Sequence, residues 1–184
     1  MSDATLRAAI KTRLDALGAG IGRVHDYERF SVDPAKFLAL FQDEETKKVF
    51  GWEIIRTGFS VRRVAMSKWK MVHQYTVRGY YGLQDAAGTE KTVNGLADLI
   101  ALDFTRTPLA GTIGDTLPEA EIETRMFGGV LCHVVEVRLP QVAEIVAPLP
   151  EEEVDLLRVG LNYYLQDPAD DGVVDAADLV ELGL

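Results

Sequence analysis

WKMVHQYTVRGYY, residues 69–81, alternates almost without interruption. Trp69, Met71, His73, Tyr75 and Val77 fall on one side. Lys70, Gln74, Thr76 and Arg78 fall on the other, with Val72 the one apolar exception. A period of two over about ten residues marks a long antiparallel strand with one face buried. Such a strand is scaffold, and the elements on either side of it give the rest of the fold.

Upstream, residues 3–17 carry a helical stripe of Leu6, Ile10, Leu14 and Leu17, with Asp3 as a cap and Gly18 as the stop. GAGIGRV is a glycine-rich connector without the Gly-Lys-Ser/Thr of a phosphate loop. VHDYERF, 24–30, reads as a short strand. Asp33-Pro34 opens a helix over 33–50, and the polar run Gln42 to Lys48 marks where it can break. WEIIRTGFSVRRVAM, 52–66, reads as a strand pair or a strand kinked at Gly58.

Downstream, GLQDAAG is a turn, and Val93, Leu96, Ala97, Ile100 and Phe104 give a helix over 89–104. Residues 105–121 hold no periodic structure and read as a flexible surface arm. Strands fill 110–139. The last of them puts Leu131, His133, Val135 and Val137 on one side and Cys132, Val134, Glu136 and Arg138 on the other. Pro140 is expected to end that strand, with QVAEIVAPLP leaving as a linker. A helix over about 151–165 and a short final helix complete the reading. The expected class is α+β: a mainly antiparallel sheet packed against two main helices over 1–149, then an acidic helical extension over 150–184.

Composition bounds the function. Of 184 residues, 47% are hydrophobic and 26% charged, the balance of an ordinary globular chain. The net charge of −10 is unevenly placed. Residues 150–184 hold ten acids and one base, Arg158, which leaves 18 bases and 19 acids in the other 149 residues. A nearly neutral body argues against nucleic acid as the main ligand, since phosphate binding needs clustered Lys and Arg. The acidic tail reads either as a solvated appendage or as a docking segment or cation site. No apolar run reaches the roughly 20 residues of a membrane span, and the N-terminus has no apolar targeting core. A soluble protein made in a cytoplasm is expected.

Chemistry-bearing residues are sparse. Cys132 has no partner cysteine and lies in an apolar strand, the setting of a buried, inert thiol. His25, His73 and His133 lack metal-ligand spacing and read as structural. A cross-sheet meeting of His73 and His133 beside Glu136 is the arrangement that would matter chemically. The four serines, Ser2, Ser31, Ser60 and Ser67, occupy no nucleophile elbow. Arg56, Arg62, Arg63, Lys68, Lys70 and Arg78, interleaved with Trp52, Trp69 and Tyr80, fit either a single-strand-binding platform or the solvated face of a sheet; the second is preferred. No catalytic residues are assigned and no enzyme is expected.

DPADDGVVDAADL, 167–179, resembles an EF-hand loop, and a dockerin loop more closely. Asp167, Asp171, Val173 (through its carbonyl), Asp175 and Asp178 would supply oxygens around the turn at Gly172, and calcium is the cofactor implied. Ala169 stands where an oxygen ligand is usual, and Asp178 is shorter than the customary glutamate. An Asp-rich turn capping a short helix at Asp175 is the preferred reading.

The order LRAAIKTRLDAL, VHDYERF, KWKMVHQYTVRGYYG, KTVNGLADLIALDF, GGVLCHVVEVRL resembles the tail terminator and tail-completion proteins of long-tailed bacteriophages. That resemblance implies a small α+β subunit without catalytic residues, assembled in the host cytoplasm and located in the virion at the head–tail junction. It implies a homo-oligomeric ring, a hexamer, that caps the tail tube protein and presents a surface to the head connector or neck protein. A connector that joins without capping, and a calcium-dependent interaction module, are the alternatives.

Overall fold

A computed structural model describes residues 2–43, 46–66, 68–127 and 129–146. The acidic extension and all five calcium candidates, Asp167, Asp171, Val173, Asp175 and Asp178, lie outside these residues. The described elements are α1 (Asp3–Asp15), β1 (Arg23–His25), α2 (Pro34–Leu40), β2 (Phe50–Ala65), β3 (Lys68–Gly82), α3 (Thr89–Arg106), β4 (Glu119–Phe127) and β5 (Val130–Val146). The fold is α+β with a mixed, mostly antiparallel five-stranded sheet in the order β1-β2-β3-β5-β4. Strand β1 pairs parallel to β2, Val24 beside Trp52, and β4 pairs antiparallel to β5, Ile122 beside Val135.

Two units divide the chain: Met1–Arg62 with Lys70–Ile145, and Arg63–Trp69 with the residues from Val146 onward. The first unit holds the core. Leu6, Ile10 and Leu14 of α1 and Val93, Ala97, Ile100 and Phe104 of α3 pack on one sheet face with Trp52, Ile54, Tyr75, Val77, Val135, Val137, Leu139 and Val142. Fully burying each aliphatic or aromatic side chain is worth about 1.5–3 kcal/mol. The helices are also cross-tied: the Arg13 guanidinium donates to the Asp103 carboxylate and lies 4.8 Å from the Phe104 ring centroid. On the opposite face, Leu38 and Phe41 of the α2 segment cover Val49, Tyr80, Cys132 and Val134. In the second unit, residues 63–66 and 68–69 make the turn end of the β2–β3 hairpin.

Close packing fixes one glycine. A Cβ on Gly79 would stand 2.5 Å from Trp52 Cε3, so only glycine lets the indole lie across β3. The indole N–H then donates to the Ile21 carbonyl at 2.7 Å.

Several expectations are corrected. Ser2, not Asp3, caps α1, its hydroxyl accepting the Thr5 N–H. Strand β1 stops at His25, because the Arg29 N–H turns inward to the Glu53 carboxylate at 2.7 Å. Helix α2 ends at Leu40, ahead of the polar run. Gly58 makes no break, and β2 runs unbroken for 16 residues. Pro140 does not end β5, which continues to Val146. The buried set on the helical face steps from Val135, Val137 and Leu139 to Val142, a change of phase across Pro140–Gln141. A strand tolerates proline where its regular alternation is interrupted in this way. The segment expected to be a free arm begins as the end of α3 and is then fastened: Leu109 is buried and the Ile113 N–H donates to the Ala143 carbonyl at 2.7 Å.

Candidate interaction surface

The residues singled out for chemistry are mostly consumed by structure. His25 Nε2–H donates to the Leu40 carbonyl at 3.0 Å, and burial holds its pKa below the ordinary value. His133 Nε2 lies 3.2 Å from the Thr89 hydroxyl at the start of α3. His73 is buried, and its Nε2–H donates to Glu144 at 3.0 Å. His73 and His133 therefore take separate partners, and Glu136 pairs with Arg78 Nε at 2.9 Å. Cys132 is fully buried, and burial pushes its thiol up, away from thiolate character.

Sequence reasoning passed over two buried carboxylates, Glu53 and Glu144. Glu53 sits between Trp52 and Ile54, and the strand alternation alone aims it at the opposite face. There it accepts the Arg29 N–H and, at 3.0 Å, the Tyr80 hydroxyl, with Arg78 Nη1 at 3.7 Å. Burial raises the Glu53 carboxyl despite these donors. Burial, followed by the Glu53 charge, raises Tyr80 as well, so its hydroxyl stays a donor. The network pins the loop after β1, whose Phe30 and Val32 are exposed. It offers no nucleophile with a base and an orienter.

Glu144 is the second. Burial alone would raise it, and the hydrogen bonds it accepts, His73's among them, bring it below the ordinary value. His73 stacks on Tyr75, whose hydroxyl donates to Asp3 at 2.7 Å and so ties β3 to the first turn of α1.

The cationic residues do not build a base-stacking platform. Trp52 and Tyr80 are buried on opposite faces of the sheet. Arg56 lies 3.8 Å from Asp3, and Arg78 is engaged by Glu136. Arg62 and Arg63 remain exposed on β2, and Lys68 is exposed on β3.

Two clefts open on the first unit. One, of about 880 Å³, is lined by Arg23, Asp43, Lys47, Lys48, Phe50 and Gln84. The other, of about 630 Å³, includes Thr89, Lys91, Asn94, Glu123 and His133. Among the described residues no three His, Cys, Asp or Glu side chains group to hold a metal ion. No helix among them is long and apolar enough to cross a membrane.

The surface that stands out is hairpin β2–β3. From Phe59 to Arg62 every side chain on β2 is exposed, whichever face it occupies. Phe59 is 59% and Val61 48% exposed, and the Arg56 guanidinium lies 4.4 Å from the Phe59 ring centroid. Exposed apolar side chains here lie beside guanidinium groups on an extended ribbon. No protein-family model matches the chain, and no curated protein matches it.

Proposed function

We propose that this chain is a non-enzymatic virion assembly protein that caps a phage tail tube as a ring at the head–tail junction. The observation that carries the reading is the outer half of hairpin β2–β3, with Phe59 and Val61 uncovered. A two-stranded ribbon is marginal by itself in water. Apolar side chains on it gain free energy only when a neighbour covers them. A subunit that completes itself against the next copy has a use for such a ribbon, and a head-to-tail contact that closes by rotation makes a ring.

The element order supports the same reading. Helix, glycine turn, short strand, long hairpin, helix and closing strand follow in the order that resembles tail terminators. The sheet leaves two unlike edges, β1 and β4, as a heterologous contact requires.

Negative-stain electron microscopy of the full chain, alone and mixed with tail tubes, tests this. Rings on tube ends are the expected result. Phe59→Asp with Val61→Asp removes them while leaving the thermal melt of the subunit in place. Tubes whose ends stay bare at saturating protein contradict the proposal.

A further inference from the structure

We infer that the outer part of hairpin β2–β3, Phe59 to Arg62, docks into the acidic cleft at the start of α3 in a second copy of the chain. The inference rests on the reading above only in taking the hairpin as a contact surface. It requires no tail tube.

The hairpin supplies the cations. Between Glu53 and Asp85 the chain has six bases and no acid. Arg56 and Arg78 are engaged by Asp3 and Glu136. Arg62 is exposed and has no ion-pair partner among the described residues. The exposed Phe59 and Val61 precede it on β2.

The cleft of about 630 Å³ supplies the opposite sign, with Asp85, Glu90 and Glu123 against Lys91. Glu123 is engaged by Arg125. Asp85 and Glu90 are exposed and unpaired among the described residues. Leu83 and Ile122 give the cleft an apolar wall. Opposite charges steer two such surfaces together, and apolar side chains gain by being covered.

The two surfaces belong to the first unit but cannot meet within one molecule. The Thr57 hydroxyl donates to the Gln74 carbonyl at 3.2 Å, which sets β2 against β3. From Gln74, β3 runs away from the turn to Gly82, about 26 Å at roughly 3.3 Å per residue. From Thr57, β2 runs the opposite way to Arg62, about 16 Å more. Arg62 and the start of α3 therefore lie roughly 40 Å apart, far beyond the reach of a side chain. Each copy offers one hairpin and one cleft, so the contact is heterologous and repeats from copy to copy. A few side chains make less than the roughly 800 Å² per partner of a stable pair. The contact is therefore transient between two free copies and cumulative in a closed ring.

Disulfide trapping of the full chain in a glutathione redox buffer tests this. Ser60→Cys and Asn94→Cys are prepared separately and then mixed. Both positions are exposed, Asn94 lines the cleft, and the native Cys132 is buried. Thr12→Cys, exposed on α1, takes the place of Asn94→Cys as the collision control. The expected result is a 60–94 disulfide between molecules, formed about tenfold or more faster than the 60–12 one. Adding Arg62→Glu to the first preparation slows it about threefold or more, and adding Glu90→Arg to the second then restores it. A 60–94 rate equal to the control overturns the inference. So does a 60–60 or 94–94 product forming as fast, which sets a surface against its own twin. Absence of the mixed product at about 1 mM protein, where a contact with a Kd of that size is half formed, gives the hairpin to a partner other than this chain and overturns it too. Tube ends left bare while the mixed disulfide forms refute the virion reading and leave the docking in place. Rings on tubes without that disulfide do the reverse.

Discussion

Gly79→Ala probes the packing that lets the long hairpin carry the helices. The added methyl would meet Trp52 Cε3 and Cζ3 at 2.5 Å and Cη2 at 2.8 Å. Carbon atoms rest at about 3.5–4.0 Å, so the indole must move by roughly 1 Å. It has little room, being 2% exposed and held by its bond to the Ile21 carbonyl. Overpacking costs about 1–3 kcal/mol. Stretching the Ile21 bond until a buried group is left unpaired adds about 1–3 kcal/mol. Replacing glycine returns about 0.5–1 kcal/mol through the unfolded chain. The net loss is about 1–5 kcal/mol, or roughly 2–20 °C in melting temperature for a chain of this length. Urea and thermal unfolding, followed by circular dichroism, give both numbers. Trp52→Phe shortens the ring, so Gly79→Ala should cost less in that background, a coupling that a double-mutant cycle isolates. Two results refute the reasoning: a Gly79→Ala loss under about 0.5 kcal/mol, or equal losses in the two backgrounds.

Three further outcomes follow from particular side chains. Burial raises the Glu53 carboxyl above its ordinary value of 4.5, so the folded chain holds a proton there that the unfolded chain has released. Its stabilising contribution is full below that value and is lost as pH rises through the folded pKa. The stability of the native chain relative to Glu53→Gln therefore falls with pH across this window, and urea titrations showing the opposite slope would remove the assignment. Asp33 accepts the Ala35 and Lys36 N–H groups at the start of α2. Asp33→Ala should cost about 1 kcal/mol by chemical denaturation, and Asp33→Ser much less. Cys132 should react with an aromatic disulfide only as fast as the chain unfolds, giving a rate independent of reagent concentration at high reagent. A rate that keeps rising in proportion to reagent, at the speed of a free thiol, contradicts its burial.

Much of the scaffold was legible because periodicity reports burial directly. The alternation of 69–81 became β3, and the stripes Leu6/Ile10/Leu14 and Val93/Ala97/Ile100/Phe104 became the two helices on one face. What periodicity could not show was the second covered face. Tyr80 is buried like Tyr75 and Val77 although it faces the other way, because the α2 segment returns across the sheet from a distant part of the chain. Pro140 and Gly58 misled for a related reason. Each weakens a strand locally, yet β5 absorbs the proline in a phase change and β2 is held by pairing with β3. Glu53 and Glu144 gave only a faint signal, a lone acid inside an apolar run. Their partners, Arg29, Tyr80 and His73, are tens of residues away and meet them only in the folded sheet. The cationic hairpin was visible as a cluster, but which cations were already paired was a tertiary fact.

The central claim is the proposal that the protein caps a phage tail tube. It is tested most directly by deleting the gene from the genome that carries it and imaging by electron microscopy the particles then released. The account predicts tails that overrun their normal length, uneven from one to the next and without heads. Tails of normal length beside separate filled heads would make the protein a joint rather than a cap, and intact infectious particles would contradict a role in the virion altogether.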